Sequence, residues 1–317
     1  MTVSIDATTL HIACAADGKY LPHCAAMLES LFRQRNPSTV CVHFMHAPGM
    51  NAGDREMLRS WIGRLGGRTN FIEIPDDAVG DLPRMDRIPQ IMWYRVLLPD
   101  LLPELDRILY LDADILAVSD PTPLWQTPLN GQWVAAVDNV LEPHYRNRPQ
   151  QLGLPTENDY FNSGVLLFNL KQMRADGCTA KILELARDPH SSFLWPDQDA
   201  LNVALGRRRV RLHPKWNCQN TLFFYEHGDH TFGADQVREA TAQPGLVHFE
   251  GPEFTKPWHY LCTHPYRRLY WECRAKTPWP QKHLDGATLE NRLIRPLPRR
   301  LWPFAFRVTN KLHRMLT

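Results

Sequence analysis

Asp112 and Asp114 stand one residue apart at the end of Arg107-Ile108-Leu109-Tyr110-Leu111, an apolar run that reads as a buried strand. Side chains two apart on an extended chain share a face, so both carboxylates can converge on one divalent cation. If the chain turns between them, they divide direct and water-mediated contacts instead. Carboxylates this close to an apolar segment need such a partner, because an isolated charge is costly away from water. A solvated turn after a strand is the ordinary alternative, and the triplet alone does not exclude it. The neighbours favour the cation: residues 115–118 form a second apolar run closed by Pro121 and Pro123, and open α/β sheets collect ligands beyond the carboxyl ends of their strands.

Other groups carry chemistry at longer range. His248 follows Leu246-Val247, Lys256 precedes Pro257-Trp258, and Asp197-Gln198-Asp199 precedes the apolar stretch 200–205. Asp138 ends another apolar strand pattern at 133–137, and Asn162 and Ser163 stand at the entrance of a third at 161–169. Each has a plain structural explanation as well. A histidine can merely end a strand, a lysine is usually solvated, and Asp197 can cap the helix that follows it.

The elements that must position these groups follow from periodicity. Residues 9–15 read as a strand and residues 22–35 as a helix, whose apolar face is Cys24, Met27, Leu28, Leu31 and Phe32. A strand at 40–45, a helix at 55–65 and a strand at 69–74 come next. This alternating order predicts an α/β fold with a mostly parallel sheet and helices outside it. Residues 76–89 read as an ordered loop, and residues 90–98 as a helix carrying Arg95 towards the site; a salt bridge from Arg95 to an acidic loop is the alternative.

With 317 residues the chain can bury one large core or two. No internal repeat or low-complexity linker divides it, which favours one catalytic domain over residues 1–275 and a small extension over 276–317. No stretch approaches the roughly 20 apolar residues of a membrane span, and the start lacks a secretory pattern, so a cytoplasmic protein is expected. Seven irregularly spaced cysteines fit reduced thiols rather than a disulfide framework.

The net charge of +2 conceals an asymmetry. Residues 291–317 hold Arg292, Arg295, Arg299, Arg300, Arg307, Lys311 and Arg314 with no Asp or Glu, leaving the rest of the chain acidic. A nucleic-acid partner would recruit basic residues on the main domain too, so none is expected. Here the cations alternate with Leu301, Trp302, Phe304, Phe306, Leu312 and Leu316, which suits peripheral contact with an anionic membrane, at the cytoplasmic face of an inner membrane. A tail docked on its own domain is the competing expectation.

Five ordered blocks across residues 9–259 carry a resemblance. They are Ala15-Ala16-Asp17, the run from Arg107 to Asp114, Tyr160-Phe161-Asn162-Ser163-Gly164-Val165, Pro196-Asp197-Gln198-Asp199-Ala200-Leu201-Asn202, and Val247-His248-Phe249 leading to Lys256-Pro257-Trp258. The chain resembles the retaining glycosyltransferases of family 8, especially bacterial lipopolysaccharide galactosyl- and glucosyltransferases. The resemblance implies a GT-A fold, which is Rossmann-like and nucleotide-binding, with a UDP-sugar donor (UDP-galactose or UDP-glucose) and usually manganese. The acceptor it implies is a saccharide or glycolipid, such as a lipopolysaccharide or lipooligosaccharide core.

The same resemblance assigns roles. His248 becomes the third metal ligand beside Asp112 and Asp114, a mixed oxygen and imidazole set that manganese tolerates better than magnesium. Lys256 lies over the diphosphate, and Ala15, Asp17, Arg95, Ala113 and Gly251 join the donor site. Asp17 can accept a base N–H or a ribose hydroxyl, although an Asp before Gly is also a common turn former. Sugar recognition falls to Asp138, Asn162, Ser163, Asp197 and Gln198. The loop from Gly251 to Thr255 is apparently two residues longer than the bacterial pattern, so it either bulges outward or displaces Lys256.

Two mechanisms compete. Double displacement needs a carboxylate nucleophile beneath the sugar, and the family's matching position is Gln198, whose amide is a poor one. That favours front-face attack by the acceptor, with Gln198 orienting the sugar and Asp197 the reserve nucleophile. A nucleotide-sugar hydrolase or a silent carbohydrate-binding protein would use much of the same site. A hydrolase must admit an aligned water, while a binding protein has no need for a metal and a lysine on a leaving group.

Overall fold

The computed structural model describes residues 9–84, 90–224 and 228–298, together with Leu301, Trp302, Phe304 and Phe306. Part of the expected 76–89 loop and most of the basic tail lie outside these residues. The strands are β1 (Leu10–Ala15), β2 (Val40–His46), β3 (Arg68–Glu73), β4 (Ile108–Leu111), β5 (Ile115–Ala117), β6 (Val134–Asp138), β7 (Phe161–Phe168), β8 (Arg209–Arg211), β9 (Cys218–Gln219) and β10 (Leu246–His248). Seven of them form one sheet in the order β3-β2-β1-β4-β7-β6-β8, and β5-β10-β9 form a second. Within the large sheet only β7 runs against its neighbours.

The central strands are buried along their whole length. They read as unbroken apolar runs because helices cover both faces. On one face the Leu21–Gln34 and Ala52–Arg64 helices bring Leu28, Leu31, Trp61 and Ile62 against Leu10, Ile12 and Phe44. On the other, the Tyr94–Leu101, Cys178–Arg187 and Pro196–Leu205 helices bring Val96, Ile182 and Leu201 against Ala13, Tyr110 and Phe168. The second helix starts three residues earlier than the periodicity suggests, since the Asn51 side chain accepts from the Gly53 and Asp54 N–H groups and caps it.

The chain winds from β1 outward through β2 to β3, then returns to place β4 on the other side of β1. Strand order reverses between β1 and β4, and that switch opens a crevice beyond their carboxyl ends. The antiparallel β7 delivers its first residues to the same edge: Asp112 N–H donates to the Gly164 carbonyl at 2.9 Å. The small sheet does the rest. In the β5–β10 pair His248 lies opposite Ile115, and Phe249 N–H bonds the Asp114 carbonyl at 3.1 Å.

The described residues beyond 275 pack back on the rest of the fold. Asp285 N–H donates to the Trp258 carbonyl and its own carbonyl accepts from Tyr260 N–H. Ile294, Trp302 and Leu261 bury one another, with Phe306 packed alongside. Trp302 and Phe306 therefore turn towards the domain, not outward as the membrane expectation supposed. Leu289, Leu293, Leu301 and Phe304 remain exposed.

His23 locks the first helix to the Arg267–Arg274 helix. Its ring stacks on Trp258 at 3.5 Å between centroids, and its Nδ1 accepts from the Tyr270 hydroxyl at 2.6 Å and the Arg274 guanidinium at 3.2 Å. Burial first, then Arg274, drops its pKa to about 3. Burial likewise brings His11 to about 4 and His43 to about 3. An unfolded chain protonates these rings below about pH 6.5 while the folded one does not, so the unfolded state binds more protons and stability falls with pH. In chelator-containing buffer the thermal midpoint should decrease steadily from pH 7 to pH 5, less so in His23→Gln; a flat profile would show that these rings are already charged in the fold.

Candidate active site

The crevice is a cavity of about 620 Å³. It is lined by Ala15, Asp17, Arg95, Asp112, Ala113, Asp114, Asn162, Ser163, Asp197, Gln198, His248, Gly251 and Lys256. Every site residue expected from sequence faces it except Asp138. That carboxylate is paired with Arg209 on β8 and lies 3.4 Å from Arg211. Its neighbour Asn139 lines the cavity instead, because side chains alternate at the strand end.

Asp112 and Asp114 flank a turn between β4 and β5, and His248 arrives from β10. Each of the three offers one ligand atom, all within 4.8 Å of one another. A chain of hydrogen bonds fixes the imidazole tautomer. Gly164 N–H donates to Asn162 Oδ1 (3.0 Å), so that atom is an acceptor, and Asn217 Nδ2 donates to it as well (2.8 Å). Asn217 must then present Oδ1 to His248 Nδ1, at 2.9 Å, which makes Nδ1 the protonated nitrogen. The free Nε2 lone pair consequently faces Asp114 Oδ1 at 3.3 Å. Two acceptors in that position call for a cation between them, which the donor set fits: two carboxylates and an imidazole suit manganese.

The local positive charge comes from two buried cations. Lys256 Nζ lies 2.5 Å from Asp114 Oδ2 and donates to the Phe249 carbonyl at 2.7 Å. Burial opposes ionisation of Asp114, but Lys256 outweighs it and holds the carboxyl well below the usual range. Arg95 bridges Asp112 at 3.0 Å and Asp197 at 3.5 Å, and donates to the Ser163 carbonyl at 2.6 Å. Its guanidinium covers the Tyr110 ring, whose hydroxyl donates to Asp112. So Arg95 binds the site's own carboxylates, and among the described residues it pairs with no carboxylate of the 76–89 loop.

Gln198 is equally committed. Its Oε1 accepts from Ser163 N–H at 2.9 Å and the Ser163 hydroxyl at 3.2 Å, while Nε2 donates to the Tyr160 hydroxyl at 3.1 Å. Asp197 sits inside the first turn of its helix without capping it. Burial, offset in part by Arg95, raises its pKa to about 6. Asp199 takes the capping work, accepting from the Leu194 and Trp195 N–H groups. Asp17 does form the turn, accepting from Lys19 and Tyr20 N–H, and faces the cavity as well.

The loop before Lys256 bulges outward. Gly251 adopts φ +83°, a left-handed conformation suited to glycine, and residues 251–253 are exposed. Thr255 then folds back, its hydroxyl donating to the Glu250 carbonyl at 2.8 Å, and Lys256 returns to the carboxylates.

Residues 11–262 match the family model described as glycosyl transferase family 8. The chain belongs to that family. General stress protein A of Bacillus subtilis is 28% identical over 275 residues, covering 85% of this chain and 94% of its own length. Lipopolysaccharide 1,3-galactosyltransferase of Salmonella typhimurium is 25% identical, covering 86% and 80%. Among solved structures, the galactosyltransferase LgtC in complex with donor and acceptor sugar analogs superposes with a TM-score of 0.72 at 24% identity, covering 85% of this chain and 96% of that one. The fold of this glycosyltransferase is GT-A, and its central sheet is mostly parallel as the element order implied.

Two positions that hold His248 escaped the sequence reading of this family 8 enzyme. Asn217 sits on a short turn with no motif to mark it. Gly164 is within a quoted block, yet its role is spatial: a Cβ there would overlap the His248 ring. Replacing Asn217 by Leu should raise the metal concentration for half-maximal activity about 10- to 100-fold, the usual cost of losing a group behind a ligand. Asn217→Asp, which keeps an acceptor for Nδ1, should recover part of it. Metal titration of turnover is the readout, and an unchanged requirement in Asn217→Leu would remove Asn217 from this role.

Proposed function

We propose that this family 8 enzyme transfers a hexose, galactose or glucose, from a UDP-sugar to a saccharide acceptor with retention at the anomeric carbon. The acceptor class is a lipopolysaccharide or lipooligosaccharide core or a related glycan, a reading supported by relatives such as the Salmonella galactosyltransferase. The observation that carries the proposal is one cavity in which Asp112, Asp114 and His248 converge beside Asn162, Ser163, Asp197 and Gln198.

Manganese held by Asp112, Asp114 and His248 would offset the diphosphate and the charge that grows on departing UDP, with magnesium the weaker fit. Lys256 adds a fixed positive charge at the same place. Ala15, Asp17, Ala113 and Gly251 receive the nucleoside and diphosphate, while Asn162, Ser163, Asp197 and Gln198 hold the sugar. Arg95 acts through Asp112 and Asp197, keeping both carboxylates aimed into the cavity. Gln198 is a poor nucleophile and its oxygen is already bonded to Ser163, which supports front-face attack. The acceptor oxygen then bonds the anomeric carbon as the bond to phosphate breaks, and its proton passes to the leaving phosphate oxygen.

We also infer that the enzyme works peripherally on the cytoplasmic face of an inner membrane. Among the described residues no helix is long and apolar enough to cross a membrane. Leu289, Leu293, Leu301 and Phe304 are exposed in the same segment as exposed Arg292 and Arg295. Exposed apolar side chains interleaved with basic ones suit an anionic leaflet.

An acceptor array offered UDP-galactose, UDP-glucose and a GDP-sugar with manganese tests the reaction. Product should form from a UDP-hexose and vanish on chelation, and Asp112→Asn or Asp114→Asn should cost at least about a hundredfold in turnover. Full activity in metal-free buffer, or strong preference for the GDP-sugar, would overturn the reading; release of free hexose without transfer would make it a hydrolase.

For the membrane, Leu289→Ser with Leu293→Ser and Phe304→Ser should release the protein from anionic vesicles at physiological salt while transfer to a soluble acceptor persists. Trp302 is left intact because it packs on the domain. Equal vesicle binding by both forms would count decisively against the membrane placement.

A further inference from the structure

A second group of metal-ligating side chains lies near the other end of the central strands. His11 is the second residue of β1, and Cys41 and His43 are the second and fourth of β2. The strands run parallel with His11 opposite Cys41 and Ala13 opposite His43, so side-chain alternation puts all three on one face of the sheet. One ligand atom from each lies within 4.8 Å of the others. His11 Nδ1 and His43 Nε2 are 2.9 Å apart. All three residues are at most 3% exposed.

We propose that His11, Cys41 and His43 form a second metal site, for a zinc-class divalent cation, distinct from the carboxylate site at the cavity. The chemistry selects that class. A thiol and two imidazoles are borderline-soft donors that favour zinc over manganese or magnesium, whose preference is for oxygen. Both rings are held neutral by burial, the protonation state a ligand needs. Cys41 would lose its proton on binding, so one proton leaves as the cation enters.

The polar groups of this cluster are poorly satisfied by one another. Asn70, on β3 opposite His43, places its Nδ2 3.3 Å from His43 Nδ1. With Nδ1 accepting, His43 Nε2–H donates to His11 Nδ1, and His11 Nε2–H is left buried with no hydrogen-bond partner among the described residues. The Cys41 thiol also lacks one among those residues. A buried polar group without a partner is costly, and the pairing consumes both facing ring nitrogens without using the thiol beside them. With a cation between His11 Nδ1, His43 Nε2 and Cys41 Sγ, all three donors are used. Asn70, its amide turned, would accept from His43 Nδ1–H, the kind of outer partner that metal-bound histidines keep. The cation would join β1 to β2 about 13 Å along the strand from Ala15 at the cavity, a structural clamp under the donor site.

The full-length protein carrying Asp112→Asn and Asp114→Asn separates the two sites. After incubation with zinc and desalting, it should retain a single zinc per chain, and zinc should raise its thermal midpoint. Adding Cys41→Ser should lower retention and abolish the rise. Should that variant fail to fold, cobalt bound to the Asp112→Asn/Asp114→Asn protein reports directly: a thiolate-to-cobalt charge-transfer band is expected, since Cys41 is the sulfur ligand. No retained metal, no such band, or the same retention without the Cys41 thiol would each overturn the second site. None of these outcomes depends on sugar transfer, so failure here leaves the proposed reaction standing.

Discussion

Three carboxylates gathered in one crevice are the constraint around which this molecule is built. Asp112, Asp114 and Asp197 have side chains only 24%, 12% and 10% exposed. Like charges this close raise one another's energy unless cations stand among them. Arg95 answers for Asp112 and Asp197, and Lys256 for Asp114. The arrangement still leaves Asp114 Oδ1 facing a histidine lone pair, so the protein's own cations compensate the site without filling it. A buried ion pair contributes little net stability. Its value here is preorganisation, holding carboxylates where a charged donor will meet them.

That preorganisation depends on two different strand pairings. A parallel sheet alone would bring Asp17 and Asp112 together, since β1 and β4 end side by side. It would not supply His248, which lies more than a hundred residues away in sequence. The antiparallel β5–β10 pair does so, and β7, the strand that runs against the sheet, offers Gly164 where any larger residue would evict the ring. Asn162 on β7 and Asn217 on the turn before β9 then carry the order of a backbone N–H through two amides to a histidine tautomer. The Asp112, Asp114 and His248 end of the site is thus fixed by hydrogen-bond parity, not by residue identity alone.

How much of this was legible in the sequence follows from how local each signal is. The strand and helix order, the mostly parallel sheet and the carboxylate pair all sit in short runs with clear periodicity, and were read to within a few residues. Arg95 was placed at the site, but its pairing with Asp112 and Asp197 was not foreseen, because the pattern of a helix shows which side chain points inward and not what waits there. Asp138 failed for the opposite reason. Ending a strand in a carboxylate resembles the Asp112 pattern, yet one step of alternation turned it towards Arg209 and made Asn139 the cavity residue. Asn217 had no local signal at all; only the three-dimensional chain from Gly164 N–H gives it meaning.

The basic tail shows where composition stops being informative. Counting cations and aromatics cannot distinguish a segment that leaves the domain from one that docks on it, and the described residues do both. Ile294 and Trp302 bury themselves against Leu261, while Leu289 and Leu293, one turn apart on the Leu289–Ile294 helix, are exposed. Residues four apart on a helix share one stripe, so on the Leu289–Ile294 helix the outer stripe of Leu289 and Leu293 and the inner one at Ile294 can serve two partners. The inner stripe anchors the segment to the catalytic domain, and that anchor gives the outer stripe a fixed orientation. A flexible basic tail would hold the enzyme near a bilayer in any attitude, whereas a docked one constrains the cavity to a single attitude towards whatever surface the outer stripe meets.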